Sequence, residues 1–290
     1  VGVSKNIGFG AAVSYNAVNN TVSAHVDSSS IDTTGSLSLA AESASLIETI
    51  TVGVAGGKSL GLSGSVSLNS ITNTAYIDNN ADIEASDVSL SASDTSTVKV
   101  IAGSVAVASS AAIGAAVAIN DVDNTITARV EGATNMASDG ALTLAATSDA
   151  AISSITVGGS GASSFALGGS VSLNEIANTV EATITGAATV NAGAVSLAAS
   201  DTSTIEAIAG GVAVSSSASF GAAVATNDID NTITARVDSA TLAADGVLSI
   251  AATSEATISS ITVGGSGAGT LALGGSVSLN DIANTVEASI

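Results

Sequence analysis

Pairs of asparagines four positions apart recur six times along this chain, at Asn16/Asn20, Asn69/Asn73, Asn120/Asn124, Asn174/Asn178, Asn227/Asn231 and Asn280/Asn284. Successive pairs lie 51 to 54 residues apart. The same frame surrounds each, as in Val171-Ser172-Leu173-Asn174-Glu175-Ile176-Ala177-Asn178-Thr179-Val180. A fixed period of that length is the mark of an array built from one copied unit, not of a domain packed around one centre. The 290 residues divide into one continuous array with units of approximately 1–41, 42–93, 94–146, 147–200, 201–252 and 253–290.

A longer order overlies the first. Asp94-Thr95-Ser96-Thr97 returns as Asp201-Thr202-Ser203-Thr204, and Asp123 to Val130 returns as Asp230 to Val237. Units therefore alternate between two kinds, one carrying Gly-Ala-Ala-Val before its first Asn and the other Gly-Ser-Val-Ser or Gly-Gly-Ser-Val. Val1 is not an initiator Met, and the last unit stops where earlier ones continue. The chain is expected to be an excerpt of a longer protein whose caps, export signal and anchor lie elsewhere.

After each second Asn the residues alternate cleanly: Ile126, Ala128 and Val130 are apolar, while Thr127 and Arg129 between them are polar. Period two predicts a strand with one buried face, and with Thr183 and Arg236 among the positions facing solvent. A second alternating strand follows at Leu37/Leu39, Val88/Leu90, Leu142/Leu144, Val195/Leu197 and Leu248/Ile250, each closely preceded by Gly or Asp. A fainter echo, Thr followed by Val or Ile, recurs at spacings of 28 and 25, and reads as two coils per unit. In the second unit two residues are expected to be missing just after Asn73.

The chain has no Pro, Cys or Trp, three Phe and 30 Gly, so its core must be filled by small side chains. A thin stack can use such a core where a compact domain of this size cannot. Gly, Ser, Thr and Val are poor helix formers and no 3.6-residue stripe is present. These features predict an all-β parallel β-solenoid of about eleven coils, two in each of six ~53-residue units, which would make a rod of ~50 Å. One wide coil per unit is the alternative, and an antiparallel sandwich array a weaker one. The uncharged run Val100 to Ile119 is long enough for a membrane helix, yet its Gly, Ser and Ala content and lack of flanking anchors favour strands joined by small-residue bends. The asparagines read as bend residues with left-handed tolerance whose amides stack into a structural ladder along the axis.

The frames Gly168 to Ile184 and Gly221 to Val237, each followed by a strand of the Gly193 to Ala198 and Gly246 to Ala251 type, resemble the repeats of large bacterial filamentous-haemagglutinin-like and leukotoxin-type filamentous adhesins. The resemblance covers essentially the whole chain. It implies a β-solenoid shaft on an exported, extracellular or cell-surface protein, whose partners are other copies, neighbouring repeats and a host, cell-surface or matrix receptor. It carries over scaffold positions only, with no catalytic residue.

Catalysis needs a titratable group placed once, in a pocket, among partners. His25, the lone histidine, occupies the outward strand position that Tyr76, Arg129, Thr183, Arg236 and Ser289 hold in other units, and reads as a spacer. Arg129 and Arg236 recur as a repeated surface contact, which does not fit a polysaccharide-cleaving site. No enzyme activity is expected. Twenty-five acidic against five basic residues exclude nucleic acid as a partner and disfavour anionic membranes; no membrane insertion is expected. The oxygen-rich bends with Asp121, Asp123, Asp228 and Asp230 are candidate calcium ligands, calcium being the only cofactor in view. Thr-x-Thr pairs are too irregular for an ice-binding face.

Overall fold

The computed structural model describes residues 1–132 and 135–290, with their side chains except at residues 75–80. The chain is almost entirely extended, and every strand pairing is parallel. In chain order the strands are β1 (Gly2–Val3), β2 (Ile7–Asp32), β3 (Leu37–Gly57), β4 (Leu60–Ala85), β5 (Val88–Ala108), β6 (Ala111–Val122), β7 (Thr125–Glu131), β8 (Asn135–Ala162), β9 (Phe165–Ile176), β10 (Thr179–Thr185), β11 (Thr189–Ser215), β12 (Ala218–Ile229), β13 (Thr232–Val237), β14 (Thr241–Ala244), β15 (Leu248–Gly267), β16 (Leu271–Ile282) and β17 (Thr285–Ser289). No helix long and apolar enough to cross a membrane occurs among the described residues.

The fold is a parallel β-solenoid, and its coil is the wide one. Asn16 pairs with Asn69, Asn69 with Asn120, Asn120 with Asn174, Asn174 with Asn227 and Asn227 with Asn280, so one whole unit makes one turn. The eleven-coil count is thereby corrected. The echo at 28 and 25 residues has another origin: it relates opposite walls of a single flattened coil. Asn124 reaches Ser96, 28 residues away, and Asn20 reaches Ser45, 25 residues away, across the interior. Six rungs ~4.8 Å apart make a stack only ~24 Å tall, half the height expected. The two residues missing from the second unit are not lost after Asn73 either, because Thr74 pairs with both Thr21 and Thr125 without a break. The register instead slips by one residue between Asp27 and Ser30 and by another between Asp32 and Leu37. Asp78, not Tyr76, is then the partner of His25 and Arg129; the side chains of both Tyr76 and Asp78 lie outside those described.

Each coil is a wedge. Its floor is β3, β5, β8, β11 and β15 in successive rungs; its roof is β2, β4, β6/β7, β9/β10, β12/β13 and β16/β17. At the wide edge three strand segments enclose a core in which Ile126, Met136, Leu142, Leu144, Ile184 and Leu197 are fully buried. The alternating apolar residues of the two strands foreseen from period two meet there. The corner after β7 and β10 needs left-handed backbone, and Gly132 (φ 88°) and Gly186 (φ 73°) supply it in adjacent coils.

Toward the other edge the wedge thins until its two walls touch through backbone. A Cβ on Gly158 would overlap the carbonyl of Gly169, and one on Gly211 that of Ala222. Ser154 and Ser172 hydroxyls meet across the interior at 2.9 Å. The chain turns there through two-residue tips such as Ser109-Ser110 and Ser163-Ser164. Val100 to Ile119 is one such blade, two strands joined at a serine tip, as its composition predicted. Polarity in the blade is inverted. Ser67, Ser104, Ser172 and Ser219 are buried inside, while Ile101, Val105, Leu173 and Leu279 stand on the outside, exposed.

Candidate functional site

The asparagine columns run along the axis between the wide core and the blade. In the first column each side-chain amide donates to the carbonyl oxygen of the next: Asn16 to Asn69 at 2.8 Å, Asn69 to Asn120 at 2.8 Å, and Asn120 to Asn174, Asn174 to Asn227 and Asn227 to Asn280 at 2.7 Å each. Asn69, Asn120, Asn174 and Asn227 are buried. An amide is the one neutral side chain that can both donate and accept along a stack of this pitch without a break.

The second column works differently. Backbone N–H groups of Asn73, Asn124, Asn178 and Asn231 donate to the side-chain oxygens of Asn124, Asn178, Asn231 and Asn284 in the following coil. These bonds span the gap where β6 ends and β7 begins, so the side chain replaces a missing ladder carbonyl. Left-handed backbone is not involved, and the bend reading of the asparagines is corrected: Asn120 and Asn174 lie within strands, and non-glycine positive φ occurs only at Ser28, Ala187 and Ser239 among the described residues. The sharp turns are made at corners and tips; the asparagines satisfy buried polar groups between them.

Sequence reading missed the carboxylates that complete this network. Asp94, 2 % exposed, accepts from Asn73 Nδ2 at 2.9 Å, Ser96 Oγ at 2.6 Å and Asn124 Nδ2 at 3.0 Å. Asp201, equally buried, accepts from Asn178 Nδ2 at 3.2 Å, Ser203 Oγ at 2.8 Å and Asn231 Nδ2 at 2.7 Å. Burial nevertheless pushes the Asp201 carboxyl above the usual range, with those donors opposing. In register this row reads Ser43, Asp94, Ser148, Asp201, Ser254. Acids thus occupy every second rung, ~9.6 Å apart instead of ~4.8 Å. The recurrence of Asp-Thr-Ser-Thr was the signal available in the sequence, and the spacing keeps like charges apart in a buried row, where their repulsion is strong.

Removing one rung of the first column by Asn120→Ala leaves the Asn174 oxygen without its donor and the Asn69 amide without its acceptor. The expected loss is about 2 kcal/mol in chemical denaturation, since buried polar groups stripped of partners cost about 1–3 kcal/mol. A variant as stable as the parent would show the column to be dispensable.

Outside the roof a second row begins with Ala17 and Ser70 and is acidic in the four rungs that follow. Asp121, Glu175, Asp228 and Asp281 stand in direct register, with Asp123 and Asp230 beside them at the strand break. The four calcium candidates of the sequence are brought together with Glu175 and Asp281, which the sequence reading left out. Burial and then the nearby Asp123 raise the Asp121 carboxyl; burial and then Asp121, Asp228, Asp123 and Asp230 raise Glu175. Among the described residues no three His, Cys, Asp or Glu side chains are grouped closely enough to hold one metal ion.

A carboxyl whose folded pKa lies above its unfolded value binds protons more tightly in the folded state, so stability falls as pH rises through that interval. For Asp121, Glu175 and Asp201 the sign is the same. Asp87, lowered chiefly by the Ala141 N–H, acts oppositely, but it is a single exposed group. The melting temperature is expected to be higher at pH 5 than at pH 7.5, and a melting curve series in constant ionic strength checks it.

The remaining candidates are peripheral. Arg129 Nη2 lies 2.8 Å from Glu131, two residues along β7, and Arg236 Nη2 3.8 Å from Asp238, just past the end of β13. Thr183 is on the outward side but only 4 % exposed, contrary to expectation, because Arg129 and Arg236 flank it in register. Compared with protein-family models, curated proteins and solved structures, the chain matches none.

Proposed function

We propose that the chain is a structural shaft: a β-solenoid segment of a large extracellular bacterial adhesin or surface fibre that extends by adding identical rungs. The observation that carries this reading is the continuity of the first asparagine column through all six rungs and of the second from Asn73 to Asn284, which puts the chain's specific chemistry into holding coils together. The two buried carboxylates, Asp94 and Asp201, are likewise turned inward to the columns. The repeat resemblance noted above supports the extracellular setting, and a receptor would then be met by another part of the assembly.

Electron cryo-microscopy of the native material tests the proposal. Shafts with ~4.8 Å rungs that end in a distinct head are expected; a shaft-free globular particle would overturn it. A self-assembling filament subunit is the second reading, favoured by the apolar outer surface of the blade, and chains joined copy to copy without a head would establish it.

Calcium belongs to the proposal as a ligand that relieves repulsion along the stripe of Asp121, Asp123, Glu175, Asp228, Asp230 and Asp281. Millimolar calcium is then expected to raise the melting temperature more than sodium chloride of equal ionic strength, and EDTA to reverse the gain. Equal effects of the two salts would remove calcium from the account.

A further inference from the structure

The floor of the blade carries an apolar relief on its outer side. Ile50, Ile101, Ile155, Ile208 and Ile261 stack in one column through five rungs. The next column reads Val52, Gly103, Val157, Gly210, Val263. The two after it run in the opposite phase, Val105 and Val107 in the second rung giving way to Gly159 and Gly161 in the third, Val212 and Val214 in the fourth and Gly265 and Gly267 in the fifth, with Val54 in the first rung the one exception. Ile50, Ile261, Val107 and Val214 are each more than half exposed. Valine knobs and glycine holes thus alternate with a two-rung period.

The solenoid itself does not require these glycines. A Cβ on Gly103 would sit 3.6 Å from Val52 and one on Gly210 3.8 Å from Val157, ordinary contact distances, and Gly161 and Gly267 have nothing within 4 Å. The isoleucine column beside them shows that bulky side chains stack here rung upon rung. Glycine inside a strand costs about 0.5–1 kcal/mol relative to Ala. Holes that the fold does not need, on an exposed apolar face, fit an external surface that approaches the backbone closely.

Charge is partitioned to match. Residues 49–69, 100–120, 154–174, 207–227 and 260–280, which form the blade, contain none of the 25 acidic residues and only one Lys, Lys58. A chain of net charge −20 can therefore bring blades together while its acids stay outside them, the nearest on the floor being Glu48 and Glu206 in the column beside the isoleucines. Four outward positions by five rungs cover roughly 600 Å² of floor. Two such faces would bury about 1,200 Å² in all, the lower bound of stable interfaces.

We propose that this floor face docks against the same face of a second copy of the chain. A two-fold axis lying in the face, perpendicular to the solenoid axis, sets each column against the same column of the partner with the rung order reversed. It keeps the ~4.8 Å pitch and the ~9.6 Å alternation of both copies in step, so an offset of one rung seats the valines of each over the glycines of the other. A bilayer or a partner of another sequence would have no use for that period. The inference deepens the structural reading by naming the partner of its lateral surface.

Sedimentation velocity of the full chain, with circular dichroism as the fold readout, tests it. The parent is expected to be a dimer or larger at about 100 µM. Ile155→Lys/Ile208→Lys is expected to weaken association at least tenfold, as is the uncharged Gly210→Leu, which fills a hole; Thr202→Lys, outward on the wide edge, should change nothing. A monomeric parent with an intact β spectrum overturns the docking face and leaves the shaft reading standing. Association that survives both face variants overturns it too, and so does a monomeric parent that co-sediments with phosphatidylcholine vesicles, which would make a bilayer the occupant. If the lysine pair unfolds the chain, Gly210→Leu decides alone.

Discussion

Gly211→Val is expected to prevent the coil from closing, while Gly210→Ala, one residue earlier, leaves the fold intact. The two glycines point to opposite sides of the same strand. A Cβ on Gly211 would overlap the backbone carbonyl of Ala222 on the facing wall, and backbone held in a parallel ladder on both sides cannot move aside. Gly210 faces outward, where an added Cβ meets only a Val157 methyl group at 3.8 Å. Overpacking commonly costs about 1–3 kcal/mol where side chains absorb the strain. Here about 3 kcal/mol or more is expected, read as loss of β structure or a large fall in the urea midpoint. Gly210→Ala should be neutral or slightly stabilising, because the unfolded chain loses freedom. Equal responses of the two variants would contradict the wedge-shaped cross-section.

Ser148→Asp would place a carboxylate directly between Asp94 and Asp201, each one rung away. At ~4.8 Å and an effective dielectric near 20, each neighbour repels by about 3.5 kcal/mol, and protonation of one acid caps the total. The variant is expected to lose about 3 kcal/mol or more at pH 7. Its new carboxyl would have a folded pKa far above the unfolded value, so the deficit is present above that folded pKa and shrinks as pH falls. At pH 4 parent and variant should converge. A deficit independent of pH would mean that size, not charge, excludes acids from that rung.

Much of the architecture was legible because it is periodic. Alternation at Ile126, Ala128 and Val130 and at Leu142 and Leu144 told which side chains face inward, since a parallel ladder has no other way to bury one face of a strand. The width of the coil was not legible. Asn124 and Ser96, or Asn20 and Ser45, lie about half a unit apart and meet across one coil, and the same spacing would arise from two stacked coils. Only pairing distinguishes them. The columns at Asn120 and Asn124 were visible as residues, but their roles differ, because the first lies inside a strand and the second at a break in one. Asp94 and Asp201 look like surface acids in a sequence with so many; only register shows that they line the interior.

The alternation of acid and serine in the buried row also governs how such a chain can change in length. Excising the single coil that contains Ser148 would set Asp94 directly against Asp201, whereas excising the two coils that contain Ser148 and Asp201 would set Asp94 beside Ser254 and leave the alternation unbroken. The heritable module of this array is accordingly a pair of coils, and gain or loss of rungs over generations should proceed in even steps.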